Sequence, residues 1–185
     1  MQVTKTALDG VLILEPKVFG DARGWFMETW SARKMEAVGL NFNFVQDNQS
    51  YSAQRGTLRG LHYQTAPFAQ AKLVRCTRGK LLDVAIDIRE GSETFAKWVA
   101  VELTAENKKQ LLIPRGFAHG FLTLTDDVEI QYKADNFYAP ACDGNIIWND
   151  ADIALELPFE PTILADKDAK APTLKERLAR GELRF

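Results

Sequence analysis

The sequence predicts an all-β fold, a sandwich, barrel or jelly roll, and three observations carry that expectation. The dominant hydrophobic period is two: in LLDVAIDIR, Val84, Ile86 and Ile88 fall on one face, and Asp83, Ala85 and Asp87 on the other. Runs rich in β-branched and aromatic residues recur as KLVRCT, KWVAVEL, KQLLIP, FLTLT and VEIQYKA. Turn signals part them, at Arg78-Gly79, Glu90-Gly91-Ser92, Pro114 to Gly116 and Thr125-Asp126-Asp127. Many short strands at such close spacing suit only a closed or double-layered sheet architecture.

Two helices interrupt the pattern. Ser31 caps SARKMEAVG, with Trp30 and Met35 spaced as a hydrophobic staple and Gly39 as the stop. Near the end, Thr173 and Glu176 of TLKERLARG form a capping box, Leu174 and Leu178 share a face, and Gly181 closes the helix. With 185 residues, 46% of them hydrophobic, the chain can bury a substantial core. It shows no repeat, low-complexity tract or linker, so residues 1–185 read as one domain.

Charge and composition narrow the function. Lysines and arginines number 23 against 25 acids, a net charge of −2 with both signs interspersed, which argues against a nucleic-acid partner. A few arginines can still converge on a small anionic ligand. No apolar run reaches the length of a membrane span, and MQVTKTALDGVLILEP lacks the parts of a signal peptide. The two cysteines, Cys76 and Cys142, are far apart with no CxxC spacing, so a disulfide framework is not expected and a reducing cytoplasm suits the chain. Cys76 lies in an apolar run and reads as core filler.

The chain has only two histidines, His62 in TLRGLHYQ and His119 in IPRGFAHGF. Catalytic metal sites commonly draw on two or three imidazoles, and no HxH or HExxH is present, so no metal is expected. His62 reads either as a satisfied structural histidine or as a general base. Arg59, three residues earlier, suits a phosphate or the surface. Lys72 shares strand parity with Val74 and Cys76; such a lysine either has a task inside or snorkels out. Tyr132 shares parity with Val128 and Ile130, as a core phenol or a proton donor. His119, after a Pro-x-Gly turn, reads from spacing as a turn-packing residue. Asp166 and Asp168, in a loop before the last helix, are either solvated or able to orient a histidine. Arg23, Phe26 and Glu28 in DARGWFMETW could hold a phosphate and stack on a base, or belong to an edge strand. Spacing alone reaches a β-rich domain with an anionic-ligand pocket.

Taken together and in order, the motifs LILEPKVFGDARGWF, FVQDNQS, LRGLHYQ, KLVRC, LDVAIDIREGS, ENKKQLLIPRGFAHGF, YKADNFYAP, IIWND and the late KD resemble the dTDP-4-dehydrorhamnose 3,5-epimerases over nearly the whole chain. The resemblance implies a cupin-type jelly roll with short peripheral helices, usually a homodimer, needing no metal or organic cofactor. Pro114 to His119 resembles the second cupin motif, while the metal-binding HxH of the first is missing. By position, His62 is similar to the family's base, Asp168 to its orienting carboxylate, Tyr132 to the acid on the opposite face of the sugar, and Lys72 to the residue beside the C4 oxygen. Arg23, Phe26, Glu28, Gln46, Asn48 and Arg59 match nucleotide-holding positions, some reaching across the dimer; His119 and Tyr138 match further pocket positions. Ala165 stands where the family often has serine, and ADKD offers both Asp166 and Asp168. Gln49 replaces a histidine often found there.

The implied reaction is epimerisation at C3 and C5 of a dTDP-4-keto-6-deoxyhexose, since the C4 ketone acidifies both neighbouring C–H bonds. Three rivals remain at this level: an epimerase acting at one carbon or on a related 4-keto nucleotide sugar, a non-catalytic nucleotide-sugar-binding cupin, and a metal-dependent cupin oxygenase. A base–acid pair, His62 and Tyr132, speaks against the second, and the missing ligands against the third.

Overall fold

The computed structural model describes all residues, 1–185. Thirteen strands run in chain order: β1 (Gln2–Lys5), β2 (Leu12–Glu15), β3 (Val18–Asp21), β4 (Gly24–Met27), β5 (Gln46–Ser52), β6 (Leu58–Gln64), β7 (Lys72–Arg78), β8 (Lys80–Asp87), β9 (Trp98–Thr104), β10 (Gln110–Ile113), β11 (Phe117–Thr123), β12 (Val128–Ala134) and β13 (Asp143–Asn145). Three short helices lie outside them, α1 (Ala32–Glu36), α2 (Asp166–Ala169) and α3 (Leu174–Ala179). One sheet has the order β1-β2-β10-β7-β12-β5, the other β13-β6-β11-β8-β9, and β3-β4 is a separate hairpin. Strand neighbours in all three sheets are antiparallel. This is the expected all-β jelly roll.

The main core lies between the two sheets. Val74, Cys76, Leu111, Val128 and Ile130 from the six-stranded sheet meet Leu81, Ala85, Leu103, Phe117 and Phe121 from the five-stranded one. The outer faces are covered too. Val84, Ile86, Ile88, Leu61 and Tyr63 pack under the C-terminal segment and Leu174 of α3, while Leu14, Leu73 and Leu112 pack under Met35 of α1 and the ring of Trp30. This settles the two faces of LLDVAIDIR. Its alternation is as expected, and its polar side faces the sheet interior, where Asp83 and Asp87 are fully buried. Asp87 is paired there with Arg89, Ser92 and Thr94.

The helices follow their local signals unequally. In α3 the Thr173–Glu176 capping box forms in both directions. In α1 Trp30 and Met35 join one apolar cluster, and Gly39, at φ +80°, lets the Leu40 N–H close on the Met35 carbonyl and stop the helix, but the Ser31 side chain makes no cap bond. The turn before His119 ends at Gly116, so β11 starts earlier than the FLTLT run, and His119 is a buried mid-strand residue rather than a turn residue. Asp166 and Asp168, expected in a loop, lie in α2. No helix is long and apolar enough to cross a membrane.

Candidate active site

At one end of the sandwich the facing strands enclose a cavity of about 590 Å³. Into it run Asn48 of β5, Arg59 and His62 of β6, Lys72 of β7, His119 of β11, Tyr132 of β12, and Lys167 and Asp168 of α2. Strand parity accounts for most of this. Lys72 points inward with Val74 and Cys76, and Tyr132 with Val128 and Ile130.

Arg59 and His62 break the period-two rule, since residues three apart should face opposite ways. Opposite β11, His119 pairs with His62 and Phe121 with Arg59, so β6 carries one extra residue between its two pairing positions. This bulge turns both side chains into the cavity. Gly60 makes it possible. Its φ is +130°, and a Cβ there would lie 2.5 Å from Gly120 Cα and 2.9 Å from the His119 carbonyl oxygen.

Asp168 reaches His62 through the C-terminal segment. Leu58 N–H donates to the Ile163 carbonyl, Asn145 Nδ2 to the Lys167 carbonyl, and Lys167 Nζ lies 3.6 Å from Asp143 of β13. Thus α2 is pinned beside β6. The His62 Nε2–H donates to Asp168 Oδ1 at 2.7 Å, and the Gly60 N–H donates to Oδ2 at 3.3 Å. Burial alone would raise the Asp168 carboxyl; the bonds from His62 and Gly60, with the charges of His62 and Lys167, hold it below the ordinary carboxylate value. An ionised Asp168 fixes the proton on Nε2 and leaves His62 Nδ1, which has no partner in the chain, as the basic nitrogen. Asp166 lies 95% exposed and pairs with Lys170, so Asp168 is the carboxylate of ADKD that meets the histidine.

Two further groups are tuned by burial. Lys72 is pulled down to about 8, the charges of Asp143 and Asp83 acting in the opposite direction. The Tyr132 phenol is raised, chiefly by burial, and keeps its proton at neutral pH. The Lys72 ammonium sits 5.9 Å from the centre of the Tyr132 ring. Arg59 is held by the end of β5 in the opposite sheet, donating from Nε to Ser52 Oγ and from Nη2 to the Tyr51 carbonyl. His119 forms a second histidine–carboxylate pair, its Nε2–H donating to Asp83 Oδ1 at 2.7 Å.

The remaining sequence-derived residues do not reach this cavity. Gln46 donates to Asn48 Oδ1 and accepts from the Tyr138 N–H, just outside the lining. Tyr138 is exposed. Arg23 binds Asp21 within the β3-β4 hairpin, Phe26 is 68% exposed, and Glu28 pairs with Lys34. Asp83 and Lys167 escaped the sequence reading. Period two puts Asp83 on one face with Ala85 and Asp87 but does not say which face is covered; Lys167, between two aspartates, carries no signal.

Residues 5–176 match the family model described as dTDP-4-dehydrorhamnose 3,5-epimerase. The chain is 55% identical over 169 residues to the dTDP-4-dehydrorhamnose 3,5-epimerase of Shigella flexneri, covering 91% of this chain and 93% of that one. It superposes with a TM-score of 0.93 on the dTDP-6-deoxy-D-glucose-3,5-epimerase of Legionella pneumophila, solved with dTDP-4-keto-L-rhamnose, at 43% identity over 100% of this chain and 98% of that one. A 3′-monoepimerase of Streptomyces bikiniensis, solved with dTDP-quinovose, gives a TM-score of 0.90 at 36% identity over 97% of this chain and 91% of that one. The continuous match of sequence and fold, running through every strand that lines the cavity, means that this chain belongs to the dTDP-4-dehydrorhamnose 3,5-epimerase family.

Proposed function

We propose that the chain inverts C3 and C5 of dTDP-4-dehydro-6-deoxy-D-glucose, giving dTDP-4-dehydro-L-rhamnose. The observation that carries this reading is a carboxylate-oriented imidazole and a half-buried, protonated phenol lining one cavity with the Lys72 amine between the two sheets. His62 Nδ1 takes the proton from the carbon next to the ketone, and the C–H electron pair moves onto the C4 oxygen. Lys72 stabilises that oxyanion. Tyr132 gives its proton to the opposite face, and solvent restores both groups. Repetition at the other carbon completes the inversion. Arg59 and Asn48 hold the nucleotide part, with His119 as a cavity wall.

Arg23, Phe26 and Glu28 belong to a hairpin whose apolar side chains, Phe19, Trp25 and Phe26, lie exposed in one chain. We assign them to the cavity of a second copy in a homodimer, with Gln46 and Tyr138 at its mouth. The chain works in the cytoplasm, where its two free thiols stay reduced. The acid–base pair supports the enzymatic reading over a binding module.

A one-carbon epimerase is the second reading, favoured by the fold shared with the monoepimerase. Proton NMR of the keto sugar with the protein in D2O tests both. Exchange and inversion at C3 and C5 is the expected result. Inversion at one carbon supports the second reading, and no exchange at either carbon overturns both.

A further inference from the structure

Tyr138 lies in a stretch that no strand supports. Between the end of β12 at Ala134 and the turn that starts at Pro140 the chain has no regular structure, and Tyr138 is exposed, so packing does little to fix it. No backbone group bonds the Phe137 carbonyl, the Tyr138 N–H or the Ala139 N–H. Two glutamine side chains take those places. Gln64 Oε1 accepts from the Ala139 N–H at 2.8 Å, and Gln64 Nε2 donates to the Phe137 carbonyl at 3.1 Å. These atoms belong to the two peptide groups flanking the Tyr138 Cα, so one side-chain amide brackets the residue as a neighbouring strand would. Gln64 Nε2 also donates to the Phe68 carbonyl at 2.6 Å, which ties the amide to the chain beyond β6. The Tyr138 N–H itself donates to Gln46 Oε1 at 3.0 Å. Gln70 and Asn136 anchor the start of the stretch, but neither bonds the peptide groups beside Tyr138. Gln64 is 5% exposed and follows His62 by two residues on one face of β6, while Gln46 opens β5 in the other sheet. The backbone of Tyr138 is thus clamped between the two sheets, by one amide from each.

Resting on the epimerase reading above, which puts Tyr138 at the cavity mouth, we propose that Gln64 is a positioning residue for the nucleotide end of the substrate: its side-chain amide fixes the backbone on both sides of Tyr138 and holds that ring in place before dTDP arrives. Gln64 acts through Tyr138 and does not meet the substrate. A ring ordered in advance spares the ligand the cost of ordering it, so the effect belongs to binding rather than to proton transfer. The strand that carries the base His62 also sets the ring, which places the two ends of the substrate in one register.

The test is Gln64→Met, which keeps the length and removes the amide, made in wild type and in Tyr138→Ala. Calorimetry with dTDP should show roughly three- to tenfold weaker binding in Gln64→Met, and KM should rise while kcat changes far less. In the Tyr138→Ala background the same substitution should add nothing. A merely structural glutamine would move the urea midpoint without this dependence on Tyr138. Undiminished dTDP affinity in the folded single variant, an equal loss in both backgrounds, or a fall confined to kcat overturns the proposal. Should Gln64→Met not fold, amide hydrogen exchange of the ligand-free wild type decides: an Ala139 N–H as protected as those of β12 supports the clamp, and exchange at the rate of unstructured chain overturns it. A wild type that binds no dTDP would remove the nucleotide role together with the epimerase reading, and a protected Ala139 N–H would then show that the reading failed and not the clamp.

Discussion

Replacing Gly60 by alanine should damage stability and activity together, because the bulge that carries His62 closes on Gly60. Two costs add. The φ of +130° is poorly accessible to an L-residue, worth about 1–3 kcal/mol. The new methyl would lie 2.5 Å from Gly120 Cα and 2.9 Å from the His119 carbonyl oxygen; both are backbone atoms in a paired strand, so relief requires moving β6 against β11. Overpacking of that kind costs about 1–3 kcal/mol more. Two controls separate the parts. Gly24 has nearly the same φ, +131°, and nothing within 4 Å of a built Cβ, so Gly24→Ala carries the backbone cost alone. Gly120 lacks the unusual φ, and its Cβ would meet the Arg59 carbonyl oxygen at 2.9 Å, so Gly120→Ala carries the steric cost alone. Urea midpoints at constant slope should rank Gly60→Ala lowest, by about the sum of the two controls. The same strand shift moves His62 and the Gly60 N–H that holds Asp168, and a displacement near 1 Å is worth about a hundredfold in turnover. Stability equal to that of Gly24→Ala, or full activity, would refute the account of the bulge.

His62→Asn should abolish both solvent exchange and inversion, a loss of about a hundred- to ten-thousand-fold, whereas Tyr132→Phe should let deuterium enter at C5 without inversion; equal loss of the two signals in Tyr132→Phe counts against a division of labour between them. Arg59→Ala should weaken dTDP binding by about 1.5–3 kcal/mol in calorimetry with the fold intact, and unchanged affinity would return Arg59 to the surface. Turnover should decline as pH rises through about 8, where Lys72 loses its proton. Stability should move the other way: between about 8 and 10.5 the unfolded chain holds a lysine proton that the folded chain releases, so unfolding free energy rises with pH across that window. Lys72→Met should erase the Lys72 contribution to both trends, and pH profiles of the variant that match wild type would exclude Lys72 as their source.

The residues that sequence could place and those it could not divide along a physical line. Lys72 and Tyr132 were legible because period two in an unbroken strand fixes which face each takes, and their apolar parity partners named the inner face. β5, with the sequence QDNQSYS, gave no such signal: it is a polar strand at the sheet edge, and its place comes from register with β12 rather than from its own propensity. Arg59 and His62 share a wall only through a bulge, and a bulge is set by two strands at once. The face of Asp83 stayed open for a different reason. Its alternation was read correctly, but which of two faces meets water depends on what covers the sheet, and here the C-terminal segment covers the face carrying Val84, Ile86 and Ile88. That covering leaves the aspartates to the interior, where a carboxylate needs partners. The pairing of Asp168 with His62 spans 106 positions and depends on the Leu58–Ile163 backbone bond that lays the C-terminal segment along β6. Local chemistry in the sequence thus nominates side chains one strand at a time, while the acid–base geometry exists only where a bulge, a covered face and a returning segment coincide.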